Sequence, residues 1–339
     1  MSISKDLLGL DSLDTLPVIS ISASQSLNAS SAVREAISTG LPRLDEALDD
    51  SSSDEPRRSG GIVRGHVTEV FGPPGVGKTS FALTVASQAL RDGGKVVWID
   101  TGSPLATSRL KSLSSENLSQ LTYFRAPTLP HLLALLIRPP RGFPPPDTSL
   151  IVIDSISSLF PGYFLSAAEL KDRLAQGKIT DKPQLQWLLN RKWNVIGDIA
   201  SHLTRLAARN VAVLALNQTH TKIKGQPRAT LHPVVAGGVW DTNVQTRIVL
   251  YRDLPDWRFA EVTKRAGKTM VVRLTELIVP FRVGDDGLEA VGEPQSPEPI
   301  VPTPSRKRKA DNEVADSQDE DSDEEYEWLG DDALLDEKE

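Results

Sequence analysis

The stretch Gly72-Pro73-Pro74-Gly75-Val76-Gly77-Lys78-Thr79 carries the clearest chemistry in this chain. Glycines at its first, fourth and sixth places let the backbone curl until successive N–H groups point inward, which makes a cradle for phosphate oxygens. A lysine at the seventh place reaches the β- and γ-phosphates of a nucleotide, and the threonine hydroxyl after it ligates Mg²⁺. Ser80 completes the expected ATP-binding set. Such a cradle needs a strand before it and the positive end of a helix after it. The pattern supplies both: His66 to Phe71 is rich in strand formers, and Lys78 to Arg91 has helical apolar spacing at Phe81, Val85, Ala89 and Leu90. A glycine-rich turn that binds nothing would not need those flanks.

Mg²⁺ also needs a carboxylate at the tip of a neighbouring strand. Leu150-Ile151-Val152-Ile153-Asp154 offers four apolar residues and then an acid. Alone, Asp154 is equally well read as a cap on the next segment. Beside a phosphate loop it is expected to hold the metal through its water shell. Two further strands end in polar groups. Lys95 to Asp100 ends in an acid that either orients water or caps Thr101-Gly102-Ser103. Asn210 to Leu216 leads into Asn217 and Gln218. Gln218 either touches the γ-phosphate or satisfies backbone groups of the loop beyond.

The surrounding elements give the fold class. Ala32 to Leu48 reads as a helix around a break at 38–40, and 49–59 as an inserted loop. Leu129 to Ile137 and Gln184 to Arg209 read as helices, the latter with Trp187, Trp193, Ile196 and Leu203 as core candidates. Later strands are expected at 246–252, 260–264, 269–274 and 277–283. Strands alternating with helices predict a three-layer α/β domain with a mainly parallel central sheet and a C-terminal strand meander. Two long polar stretches interrupt it, Ser155 to Lys182 and Thr219 to Gly238.

Charge is distributed unevenly. The net charge is -7, yet Asp311 to Glu339 holds fifteen acids and one base, a charge of -14, which leaves residues 1–310 at +7. A basic body with an acidic tail suits a partner of nucleic acid, and from charge alone a tail that only aids solubility reads as well. There is no cysteine, so disulfides, cysteine-ligated zinc and thiol nucleophiles are excluded. No apolar run is long enough to cross a bilayer. Residues 291–339 have the composition of a disordered segment. Within it Arg306-Lys307-Arg308-Lys309 reads as a nuclear import signal or a weak nucleic-acid contact. Ser317 and Ser322 are acid-flanked phosphorylation candidates, and Tyr326, Trp328 and Leu329 form a candidate docking motif.

Taken together the motifs resemble the RecA/RadA strand-exchange ATPases, and more narrowly the eukaryotic recombinase paralogues of fungal type. Ile37-Ser38-Thr39-Gly40-Leu41-Pro42-Arg43-Leu44-Asp45 is similar to that family's "ISTG…LD" lead-in. Gly60-Gly61-Ile62 and Gly65-His66-Val67-Thr68-Glu69 are similar to its approach to the phosphate loop. Trp98-Ile99-Asp100-Thr101 resembles "YIDT", Ile153-Asp154-Ser155 resembles "VDS", and Leu216-Asn217-Gln218 resembles "TNQ".

The resemblance implies a RecA-like ATPase domain over 36–285, with residues 1–35 as a flexible lead that can offer a strand, Val18 to Ser22, to a partner. It implies that Lys78, Thr79 and Asp154 bind MgATP, that Arg109 packs on adenine and that Gln218 senses the γ-phosphate. The two polar stretches, about Phe160 to Lys182 and Thr219 to Gly237, become loops facing single-stranded DNA. The second carries His220, Lys222, Lys224, Arg228 and His232. One departure stands out. After "IDT" the recombinases carry a water-activating glutamate, and here that place is Gly102. The expectation is therefore an ATP-binding paralogue with slow hydrolysis, working beside another RecA-type subunit and the main recombinase in the nucleus. A DNA-dependent ATPase with its own turnover and a scaffold with a structural ATP site are the alternatives.

Overall fold

The computed structural model describes residues 35–49, 60–102, 104, 118–160, 163–165, 167–179, 181–222, 230–253, 257–284 and 287–292. The expected N-terminal partner strand, almost all of the 49–59 insertion, Arg109 and the whole basic and acidic tail lie outside these residues.

Nine strands form a continuous path in one sheet. Its parallel half contains β3 (Val67–Phe71), β4 (Lys95–Asp100), β5 (Leu121–Arg125), β6 (Thr148–Asp154), β7 (Ala212–Asn217) and β10 (Val244–Asp253). From β10 the sheet continues antiparallel through β11 (Trp257–Arg265), β13 (Ile278–Gly284) and β14 (Gly287–Ala290). The order is β14-β13-β11-β10-β3-β7-β6-β4-β5, with β12 (Lys268–Thr269) paired to β11 off this path. The α/β class with its mainly parallel sheet and antiparallel C-terminal strands is as the sequence predicts. The sheet extends through β14, past the expected boundary at 285.

Side-chain alternation builds the two faces. On one, Val96, Trp98, Leu150, Val152, Ala212, Leu214 and Leu216 pack against α2 (Lys78–Arg91) and α1 (Pro42–Leu48). On the other, Val97, Ile99, Ile151, Ile153, Val213 and Ala215 pack against α3 (Leu129–Ile137) and the C-terminal half of α5 (Lys182–Ala207). Strands covered on both faces read as unbroken apolar runs, which is why β6 and β7 are legible in the sequence. The parallel strands place the tips at Phe71, Asp100, Asp154 and Asn217 along one edge.

Several elements differ from the expectation. The predicted helix at 32–48 is, over its described part, a strand and then a shorter helix. Here β1 (Ala36–Ile37) pairs with β2 (Ile62–Val63), and α1 begins only at Pro42. The cause is Asp45, whose carboxylate accepts the Ser38 hydroxyl at 2.6 Å, the Thr39 hydroxyl at 2.7 Å and the Thr39 N–H at 2.8 Å. It holds 38–41 as a turn. The predicted strand at 269–274 shrinks to its first residue. Val271 is 94% exposed there, and the adjacent valines have no facing layer to bury them. The first polar stretch contains a helix, α4 (Ala167–Ala175), whose Leu170 joins Ile179 and Leu185 in a small separate core.

Candidate nucleotide site

The loop 72–77 joins β3 to α2, as its motif requires. Two glycines show why the spacing matters. A Cβ at Gly72 would lie 2.2 Å from the Leu250 carbonyl oxygen, so the loop leaves the sheet against the backbone of β10. Gly77 has φ +116°, a left-handed value that L side chains rarely adopt, and there the chain turns into α2. Pro74 and Gly75 form the exposed crest, while Val76 is buried beneath them. Arg252 of β10 donates to the Gly75 carbonyl at 2.7 Å. This strut was missed in the sequence, where Arg252 only ends a strand. Ser80 is buried in the first turn of α2, and its carbonyl accepts the Thr84 hydroxyl at 3.0 Å.

Lys78 curls back over the loop, its Nζ donating to the carbonyls of Gly72 at 2.5 Å and Pro73 at 3.0 Å. Burial brings its pKa down to about 8, with the Asp154 charge working the other way. Thr79 Oγ1 donates to Asp154 Oδ2 at 2.8 Å, so the two candidate metal ligands meet across 75 residues of sequence. Burial pushes the Asp154 carboxyl up, opposed by the Thr79 hydrogen bond; the charge of Asp100 raises it further and Lys78 lowers it. Together they offer a hydroxyl and a carboxylate oxygen, hard donors of the kind Mg²⁺ takes alongside phosphate oxygens and water. Among the described residues no three His, Asp or Glu side chains gather into a cation cage. The donor set is thus one that a nucleotide's own phosphates would complete.

Asp100 is 2% exposed and stands beside Asp154 in the sheet. It accepts the Gly102 N–H at 3.0 Å and the Tyr123 hydroxyl at 2.5 Å. Between the two readings left open for it, these bonds favour the cap. Gly102 itself is exposed, and a Cβ there would meet nothing within 4 Å.

At the tip of β7 the roles of two amides separate. Gln218 is exposed, and its backbone N–H donates to Ser157 Oγ at 2.8 Å. Its neighbour Asn217 is fully buried and donates to Glu69 Oε1 at 2.7 Å and to the Val235 carbonyl at 2.8 Å. Glu69, also fully buried on β3, further accepts Trp240 Nε1 at 3.0 Å and Arg247 Nε at 2.5 Å. Burial raises the Glu69 carboxyl, and the Arg247 charge with these donors opposes that. One carboxylate thus ties the strand before the phosphate loop to Asn217, and Asn217 in turn bonds Val235 at the end of the second polar stretch. The sequence signal for it was Glu69 itself, an acid within an apolar strand.

That second stretch is a hairpin at its described ends rather than an open loop. β8 (Thr219–Lys222) pairs antiparallel with β9 (Thr230–Pro233), and the rings of His220 and His232 stack at 5.9 Å. Threonines at 219, 221 and 230 favour this pairing. Lys222 is described in its backbone; Lys224 and Arg228 lie outside the described residues.

A family model described as Rad51 matches residues 36–289, three-quarters of the chain. The chain belongs to the Rad51 family. Relatives agree with this. The fission yeast Schizosaccharomyces pombe protein "DNA repair protein rhp55" is 26% identical over 242 residues, covering 56% of this chain and 69% of that protein. "DNA repair and recombination protein RadB" of the archaeon Methanococcus maripaludis is 29% identical over 179 residues, 49% of this chain and 70% of its own. "Protein RecA" of Thermus thermophilus is 29% identical over 202 residues, 58% of this chain and 51% of its own. The Rad51-family span takes in β14, in line with the sheet described above. No described helix is long and apolar enough to cross a membrane.

Proposed function

We propose that this Rad51-family chain binds MgATP at residues 72–79 and serves homologous-recombination DNA repair in the nucleus. Its role there is to help assemble or stabilise the main recombinase on single-stranded DNA, as one subunit of a heteromeric complex. The observation that carries the reading is the 2.8 Å contact between Thr79 and Asp154 beside Lys78. Backbone N–H groups of the loop would hold phosphate oxygens, and Lys78 would exchange the carbonyls of Gly72 and Pro73 for the β- and γ-phosphates. Thr79 and Asp154 would hold Mg²⁺, which neutralises phosphate charge when bound.

The β4 tip supports the rest. Asp100 is engaged by Tyr123 and by the Gly102 N–H, and Gly102 brings no acid where the family carries its water-activating one. A positioned general base contributes roughly 10²- to 10⁴-fold to such a rate. ATP therefore acts here as a switch for assembly more than as a fuel. The buried tie from Glu69 to Asn217 and Val235 gives that switch a physical route from the phosphate loop to the second polar stretch.

Nucleotide titration and affinity purification of the full chain test this together. Lys78→Ala is expected to weaken ATP binding by about 10- to 100-fold, the range for a lost charge-assisted hydrogen bond. It should also reduce recovery of a second RecA-type subunit. Loss of nucleotide with unchanged recovery would favour a scaffold instead. Absence of any recombination protein among the recovered partners would overturn the role in repair.

A further inference from the structure

The strap that joins β12 to β13 carries apolar surface that the nucleotide site does not use. Val271, Val272 and Leu274 leave 94%, 66% and 42% of their surface in solvent. Single exposed valines are ordinary, but this segment is held in place along its length. At its start the Met270 N–H donates to the Thr263 carbonyl at 2.9 Å, and the Met270 side chain packs on the core. In its middle Arg273 pins it to β10 and β11. The guanidinium donates to the Tyr251 hydroxyl at 2.6 Å and to the Glu261 carboxylate at 3.0 and 3.1 Å, and its carbon lies 5.6 Å from the centroid of the Tyr251 ring. At its end the Leu277 N–H returns to the Leu274 carbonyl at 3.1 Å, and Leu277 is buried. A fixed backbone thus presents three aliphatic groups to water. A segment that covers them gains their burial without the cost of ordering the strap.

Size and charge narrow what covers it. A stable complex with a free protein buries about 1,200–2,000 Å² in total, and three aliphatic side chains supply a small part of that. So small a patch suits a segment that is already tethered, since a flexible tether gives an effective concentration in the millimolar range. Nucleic acid is a poor match, because bases stack on flat rings and these side chains have none. From Glu261 to Glu276 the sequence holds Lys264, Arg265, Lys268 and Arg273 against the two acids at its ends, a net charge of +2. Lys268 is exposed, and Arg273 keeps 63% of its side chain in solvent. The strap therefore fits an apolar segment set among carboxylates.

The chain carries such a segment. Tyr326, Trp328 and Leu329 lie between Asp321 and Asp332, a stretch with seven acids and no base. It lies outside the described residues, but the place from which it departs is described. β14 is separated from β11 by β13 alone, a distance of about 10 Å across the sheet. A flexible chain of roughly 34 residues, the separation of Gly292 and Tyr326, spans about 30 Å. The strap is within that reach.

We propose that the acidic tail docks on the strap of its own chain. Tyr326, Trp328 and Leu329 cover Val271, Val272 and Leu274, and the flanking acids face Lys268 and Arg273. This goes beyond the nucleotide reading and does not depend on it. The tail is then a cover that any partner using this face must displace.

The chain has no cysteine, so a disulfide between two introduced ones reports a single contact. The test follows closure of that disulfide in oxidised glutathione, in the full chain carrying Val272→Cys and Gly330→Cys. The rate is expected to be independent of protein concentration. Trp328→Ser in the same background should slow it about tenfold, the weight of one large buried apolar side chain. Val271→Ser should slow it about threefold, and Lys268→Glu should slow it as well. Val271 and Lys268 are both exposed, and melting temperatures check that each variant stays folded. Disulfide-linked dimers in place of the closed monomer would assign the strap to a second copy and overturn docking in cis. A closure rate unchanged by both Trp328→Ser and Val271→Ser would mean random encounter. That would overturn the proposal and leave the strap to another protein.

Discussion

Asp100 and Asp154 end neighbouring parallel strands and stand directly opposite each other in register. They share a residue type and a height in the sheet, yet their surroundings divide them. Asp154 turns to the phosphate loop and meets Thr79. Asp100 turns to its own strand's exit and to β5, where the Gly102 N–H and the Tyr123 hydroxyl occupy its oxygens. The proposed metal ligands thus face each other across the loop, whereas the oxygens of Asp100 are taken up by hydrogen bonds at its own strand's exit. Position on a strand tip confers no chemistry by itself; the partners across the gap do.

Restoring an acid to the β4 tip gives the largest expected effect. A side chain at Gly102 has open space, so Gly102→Glu should raise phosphate release in the presence of single-stranded DNA by about 10²-fold. An unchanged rate would mean that more than the acid is missing. Next, Asp154→Asn should weaken MgATP binding by about tenfold, with a smaller change for ATP in EDTA. Asp100→Asn should change neither by more than about twofold, because its oxygens serve the cap. If both variants lose Mg²⁺ dependence alike in calorimetric titration, the division between the two aspartates fails.

Lys78 adds a pH test. Burial brings its pKa down to about 8. Below that value the ammonium is present and ready for phosphate; above it the charge is lost before binding. ATP affinity should therefore hold up to about pH 8 and fall about fivefold between pH 8 and pH 9. Lys78→Arg should flatten that fall, since guanidinium keeps its charge. The smallest effect belongs to Tyr123→Phe. It removes one hydrogen bond to a buried carboxylate and should cost about 1 kcal/mol of stability in urea, with ATP binding untouched.

Much of the nucleotide site is legible because its signals are local. The glycine spacing, the helix from Lys78 to Arg91 and the apolar strands ending in Asp100 and Asp154 can each be read from a few consecutive residues. What escaped depends on distant partners. Gln218 is the expected functional amide at the β7 tip, yet Asn217 makes the buried tie, and only the packing of β3 beside β7 reveals Glu69 as its acceptor. Edge strand β5 is half-exposed and lacks a continuous apolar run.

Trp187 shows what apolar character alone leaves out on a single helix. Trp187, Trp193, Ile196 and Leu203 are the expected core residues of α5, and the last two are buried while Trp187 is exposed. At 3.6 residues per turn the nine residues from Trp187 to Ile196 make about two and a half turns, so the two side chains lie on opposite faces. Leu185, which shares a face with Ile196, is buried. Apolar residues of a helix predict its core only where they fall on one face.

The central claim, that ATP is a switch and not a fuel, is tested most directly by partner recovery under different nucleotides. The full chain would be used to capture the proposed RecA-type partner subunit without nucleotide, with MgATP, and with Mg²⁺ and a non-hydrolysable ATP analogue. Equal recovery with ATP and the analogue, and poor recovery without either, is the predicted result. Recovery that needs hydrolysable ATP, or that ignores nucleotide altogether, would contradict it.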